Sequence, residues 1–139
     1  MLTITRAFQF CAGHRLYRPE WDDRQNTSVF GLCANPAGHG HNYTLEVTVS
    51  GSLDPETGMI MNLRQLKEVV FAQVISDVDH KNLNTDVSWM QSVVPTTEMF
   101  AEKIWERIVS VLAREAPHVR LEDIVLHETP SNRVRKTRS

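Results

Sequence analysis

Cysteine is scarce in these 139 residues: Cys11 and Cys33 are the only two. Two thiols do not make the dense disulfide framework of a small secreted domain, so a reducing cytoplasm is the expected compartment. Long apolar runs are missing as well. No stretch approaches the roughly 20 residues of a membrane span, and MLTITRAFQF lacks a basic start followed by an apolar run of signal length. Nor is there an excess of one charge. A net charge of −2 and a pI near 6.3 provide no global field for nucleic acid or an anionic membrane, so neither is an expected partner. The one local excess, the tail RVRKTRS, reads as a solvated terminus. Low-complexity segments and repeats are absent too. What is present is an ordinary apolar fraction of 41%, enough for one core in a single domain spanning residues 1–139.

Period-two alternation marks the first strand, with Leu2, Ile4, Phe8 and Phe10 at even positions and Arg6 interrupting them. Residues 15–38 carry Pro, Gly, Asn and Asp without periodicity and read as one long loop. In YTLEVTVS, Leu45, Val47 and Val49 alternate with Thr44, Glu46 and Thr48, a strand with one polar face. After the turn GSLDPETG, Asn62 can cap a helix carrying Leu63, Leu66, Val69, Val70 and Val74. Residues 77–94 look irregular. Pro95 and Thr96 open a second helix with a stripe of Phe100, Ile104, Ile108, Val111 and Leu112. LEDIVLHET and NRVRKT supply two more strands. The order ββααββ predicts an α+β fold, a four-stranded antiparallel sheet with two helices packed on one face. Short sheets leave unpaired edges that must be covered, charged or closed, so oligomerisation is physically reasonable.

Chemistry-bearing residues cluster at strand ends. In a strand, His39 and His41 point to one face, and His14 follows the strand that should pair with theirs. Three imidazoles could grip a Zn²⁺ ion and leave its fourth position open. Cys33 divides the readings: as a ligand it closes a structural Cys-His₃ site, and as a free thiol it is a base or nucleophile beside the metal. Spacing does not choose between them. Cys11, inside an alternating apolar strand, reads as a small buried hydrophobe. Asp79 next to His80 is the pairing of an oriented general acid–base, although such neighbours also occur in solvated loops. Glu128 shares the parity of Ile124 and Leu126, where an unpaired carboxylate is costly, so it needs a partner or a ligand. His118 and His127 read as structural or solvent-facing.

FCAGHRL, CANPAGHGHNY, GMIMNL, DHKNLN, PTTEMFAEKIWE and HETPSN follow one another along nearly the whole chain. Together they make it resemble the 6-pyruvoyl-tetrahydropterin synthase family. That resemblance implies the tunnelling fold, in which trimers close a barrel and two trimers stack into a homohexamer with active sites between subunits. It implies His14, His39 and His41 as zinc ligands and Cys33 as the catalytic thiol, not a ligand. Asp79 and His80 match a relay supplied by an adjacent subunit. Glu128 matches the carboxylate anchoring the pterin, with Thr96, Thr97 and Glu98 completing the pocket. Arg15, Lys81 and Arg133 could face a triphosphate. The implied reaction converts 7,8-dihydroneopterin triphosphate to 6-pyruvoyl-tetrahydropterin with loss of triphosphate and no external redox cofactor. The runner-up is the related 6-carboxytetrahydropterin synthase of queuosine biosynthesis, which releases a two-carbon aldehyde. The gap in CANPAGHGH and Asn62 in GMIMNL resemble the pyruvoyl-forming members. Outside that chemistry stand a zinc-stabilised binding module without turnover and a metal-free tunnelling-fold aldolase.

Overall fold

Alternation near the N-terminus produces β1, Thr3–His14, which buries Phe8, Phe10, Ala12 and His14 on one face. Arg6 does not delay the strand. It pairs with Val47 and is half-buried, as a long aliphatic stem allows while its head stays wet. β2, His39–Gly51, runs antiparallel to β1 in a register that sets His14 opposite His39 and Ala12 opposite His41. β4, Val119–His127, pairs with the other edge of β2, and β5, Arg133–Thr137, pairs with β4. In this computed structural model every residue, Met1–Ser139, is described.

The sheet differs from the expected four antiparallel strands. It has five, in the order β3-β1-β2-β4-β5, and it is mixed: β3, Lys81–Asn82, lies parallel to β1 beside Ala12 and Gly13. The end of β1 would otherwise expose unpaired carbonyls. Backbone N–H groups of His80 and Leu83 donate to Cys11 O and Gly13 O at 2.6 and 2.8 Å, satisfying that edge. Two residues are too few to display a period, so the segment looks irregular in sequence.

The long loop also contains a helix, so three helical bodies replace the two expected. α1, Asp23–Phe30, is capped by Asp22, whose carboxylate accepts from Gln25 N at 2.7 Å. Only Asn26 of α1 is buried, bonded to both the N–H and the carbonyl of Arg18. A polar helix pinned by an amide shows no apolar stripe. A 3₁₀ turn, Gly31–Ala34, follows it.

The other helices follow the sequence pattern. α2, Leu63–Val70, is capped by Asn62 and continues through a π-helical stretch, Phe71–Ile75, into a last turn, α3, Ser76–Val78. Arg107 on α4, Thr97–Glu115, donates to Gln73 O of that stretch at 2.6 Å, tying the helices together. Leu66, Val70 and Val74 meet Phe100, Ile104 and Ile108 above Leu45, Val47, Ile124 and Leu126 in one core. Each such side chain contributes about 1.5–3 kcal/mol when fully buried. The sheet's opposite face stays polar: Thr5 meets Thr48 at 2.7 Å, and His127 meets Glu46 at 2.7 Å.

Candidate active site

Strand pairing does most of the assembly. His14 ends β1, while His39 and His41 begin β2 on the same face, and the antiparallel register brings the three rings together. Their centroids are 4.7, 5.1 and 4.9 Å apart, and one nitrogen from each lies within 4.8 Å of the others. The turn before β2 depends on Gly38, at φ 70°, where a Cβ would stand 3.0 Å from His14 O. Only glycine lets that turn approach so closely.

The ring nitrogens suit a metal. His14 Nδ1 lies 2.8 Å from Pro95 O, and a carbonyl only accepts, so the proton sits on Nδ1. Its Nε2 lone pair therefore faces His39 Nε2 at 3.1 Å. A ligating histidine tied to a backbone carbonyl through its other nitrogen is a common metal-site arrangement. His41 Nε2 is buried with no hydrogen-bond partner, a costly state that a cation would relieve. Burial holds His14 and His41 below the usual imidazole pKa, which favours the neutral, ligating form. These three histidines could hold a metal ion.

Glu128 has the partner that its parity demanded. It follows β4 with its N–H donating to Asn132 O, and Thr97 Oγ1 donates to its carboxylate at 2.5 Å. Its other oxygen lies 3.8 Å from His41 Nε2. Thr96 caps α4 by accepting from Met99 N at 3.1 Å, which presents Thr97 to Glu128. Glu98, on the first turn of α4, is exposed and forms no hydrogen bond or ion pair with this group.

Cys33 lies in the 3₁₀ turn, its carbonyl accepting from Leu16 N at 2.8 Å just beyond His14. Its sulfur does not join the three-histidine cluster. Asp79 and His80 do pair, at 3.0 Å, but with Cys11 rather than Cys33. Cys11 is thus not a buried hydrophobe: its parity opposes that of Phe10 and Ala12, which turns its half-exposed thiol to the polar face. Arg15 is committed elsewhere, donating to Ala34 O at 2.8 Å and covering the Tyr17 ring; Lys81 and Arg133 are exposed.

Sequence reasoning passed over Tyr43. It is buried beneath His41, stacked on Phe10 and edge-on to Phe100, and its hydroxyl has no partner. Burial, with the nearby Glu128 charge, pushes its phenol well above the usual range. Its inward parity with Leu45 was the available signal.

Fold and site together define an α+β protein with a candidate metal centre and an adjoining carboxylate at one end of its sheet. The family model described as 6-pyruvoyl tetrahydropterin synthase matches residues 3–138, and the chain belongs to that family, whose members act on a pterin. It is 45% identical over 129 residues to the 6-pyruvoyl tetrahydrobiopterin synthase of Poecilia reticulata, covering 93% of this chain and 85% of that one. The human protein of that description is 44% identical over 129 residues, covering 93% and 86%. The solved structure of Caenorhabditis elegans 6-pyruvoyl tetrahydropterin synthase superposes with a TM-score of 0.90 at 37% identity, over 99% of this chain and 96% of that one. The Bacillus subtilis 6-carboxy-5,6,7,8-tetrahydropterin synthase is 29% identical over 105 residues, covering 73% and 68%.

Proposed function

We propose that this chain is a zinc-dependent lyase converting 7,8-dihydroneopterin triphosphate to 6-pyruvoyl-tetrahydropterin with elimination of triphosphate. The observation that carries the reading is the three-imidazole cluster with Glu128 beside it, 3.8 Å from His41 Nε2 and held by Thr97. An all-nitrogen set of three, with an orphaned His41 nitrogen among them, fits Zn²⁺. His14, His39 and His41 would hold such an ion, which when bound would supply Lewis acidity to the site.

The chain's own residues do the rest. Glu128 accepts two N–H bonds from the guanidine-like edge of the pterin and fixes its orientation. Thr97 holds that carboxylate, Thr96 holds the helix terminus that presents Thr97, and Glu98 forms the outer edge of the segment. The Cys33 thiolate takes a carbon-bound proton, and return of a proton to the pterin ring makes the change an internal redox shift. The bond to triphosphate then breaks, and that group leaves as the anion. Asp79 and His80 serve the thiol of a neighbouring subunit, because in their own chain they meet Cys11. A homohexamer of two stacked trimers would cover the open polar sheet face and supply those inter-subunit sites. A reducing cytoplasm suits a reaction that needs Cys33 unpaired.

Identity favours the pyruvoyl product over the carboxy one, at 44–45% against 29%. A closed Cys-His₃ binding module is disfavoured by the Cys33 sulfur standing outside the histidine cluster. The test is incubation with dihydroneopterin triphosphate and mass analysis of the products. Acetaldehyde and carboxytetrahydropterin would transfer the assignment to the runner-up, and undiminished turnover by Cys33→Ala would remove the thiol from the mechanism.

A further inference from the structure

We propose that Cys11, Asp79 and His80 form a second metal site, for one soft divalent cation such as Zn²⁺ or Cd²⁺. The three side chains each present a donor atom, and these lie within 4.8 Å of one another. Bonds of about 2.3 Å to sulfur and 2.0–2.1 Å to nitrogen or oxygen put tetrahedral donors about 3.5 Å apart, so modest closure is enough. The backbone prepares the cluster. Asp79 Oδ1 accepts from Cys11 N at 3.0 Å, and His80 N donates to Cys11 O at 2.6 Å. His80 is also the only non-glycine residue with positive φ, 62°, a costly backbone conformation at the cluster.

The chemistry selects the ion. A thiolate and an imidazole are soft to borderline donors and prefer Zn²⁺ or Cd²⁺ to Mg²⁺ or Ca²⁺, while one carboxylate offsets part of the added charge. In the single chain the approach is open: Cys11 and His80 line a cleft of about 560 Å³ whose walls also include Asn42, Asn82 and Asp86, and Asp79 reaches the same donor group from behind it. Lys81 borders the same cleft, but it is exposed and its flexible stem allows the ammonium to swing into solvent. Three protein donors leave a fourth position for water. An ion here would occupy Asp79 and His80 and withdraw them from the relay; that consequence alone rests on the function proposed above.

The site is tested with the full chain, stripped of metal and titrated with Cd²⁺, by counting bound ions at equilibrium and following the ultraviolet thiolate-to-cadmium charge-transfer band. The wild type is expected to bind two ions per chain. The double variant His39→Ala/His41→Ala should keep one ion and the full band. Adding Cys11→Ser to that variant should abolish both while circular dichroism stays unchanged, and His80→Ala should weaken the remaining ion at least tenfold. The proposal is overturned if the double variant binds no ion, or if the band survives Cys11→Ser. Failure of the three-histidine centre has a different signature: one ion in the wild type and an unchanged one in the double variant.

Discussion

Tyr43 and His41 present the sharpest local conflict in the molecule, two buried polar atoms without partners a ring apart. An unsatisfied buried hydroxyl costs about 1–3 kcal/mol. Tyr43→Phe is therefore expected to raise the stability of the ligand-free protein by about 1 kcal/mol, and destabilisation in urea unfolding would mean that the hydroxyl has found a partner. The same substitution should flatten the alkaline limb of the stability profile. Above about pH 10 an unfolded tyrosine releases a proton that folded Tyr43 retains, so stability falls as pH rises. At the acid end the sign reverses. Unfolded histidines take up protons near pH 6.5 that folded His14 and His41 refuse, so the metal-free protein should lose stability as pH drops through that value. Thermal melts across pH 5–8 read this directly. For Glu128, charge and bidentate geometry both matter: Glu128→Gln should lower kcat/KM on the order of 100-fold, mainly through KM, if the carboxylate anchors the substrate. A loss confined to kcat would instead make it a proton-transfer group. Glu128 was legible in the sequence because strand parity put a carboxylate on an apolar face. Pro95's carbonyl beneath His14 was not, since no local pattern marks a backbone oxygen 81 residues away.

Strands and amphipathic helices announced themselves, and the elements that did not were those without a buried stripe. α1 is held by Asn26 and a cap at Asp22 rather than by apolar contacts, and the two residues of β3 form only because the end of β1 offers free carbonyls. The turn between the 3₁₀ segment and β2 is the element on which the site depends most. Gly38→Ala is expected to destabilise the protein by about 1–3 kcal/mol, from the strained φ and the collision with His14 O. Because the same turn launches His39, metal affinity at the three histidines should drop as well. Competition with a chromophoric chelator measures the second effect. Wild-type affinity in a destabilised Gly38→Ala would uncouple turn from site.

Across the whole molecule, the Asp79–His80 pair groups with Cys11 and not with Cys33 in its own chain, so the proposed relay to Cys33 requires a second copy. If active sites form between copies, Cys33→Ala and His80→Ala chains, each inactive alone, should regain activity when mixed and reassembled. Random pairing leaves about a quarter of the sites with both groups intact. Persistent inactivity, with hetero-oligomers demonstrated by mass, would place the relay elsewhere.

The sequence by itself determined the alternating strands, the two apolar helix stripes and the histidines two apart, because periods of two and 3.6 place side chains on faces without reference to anything distant. Tertiary structure alone decided which thiol meets Asp79 and His80, that a fifth strand completes the β1 edge, and that a loop carries a polar helix. Those outcomes depend on backbone groups finding partners far away in the chain, and hydrogen-bond satisfaction between remote segments leaves no local periodicity to read.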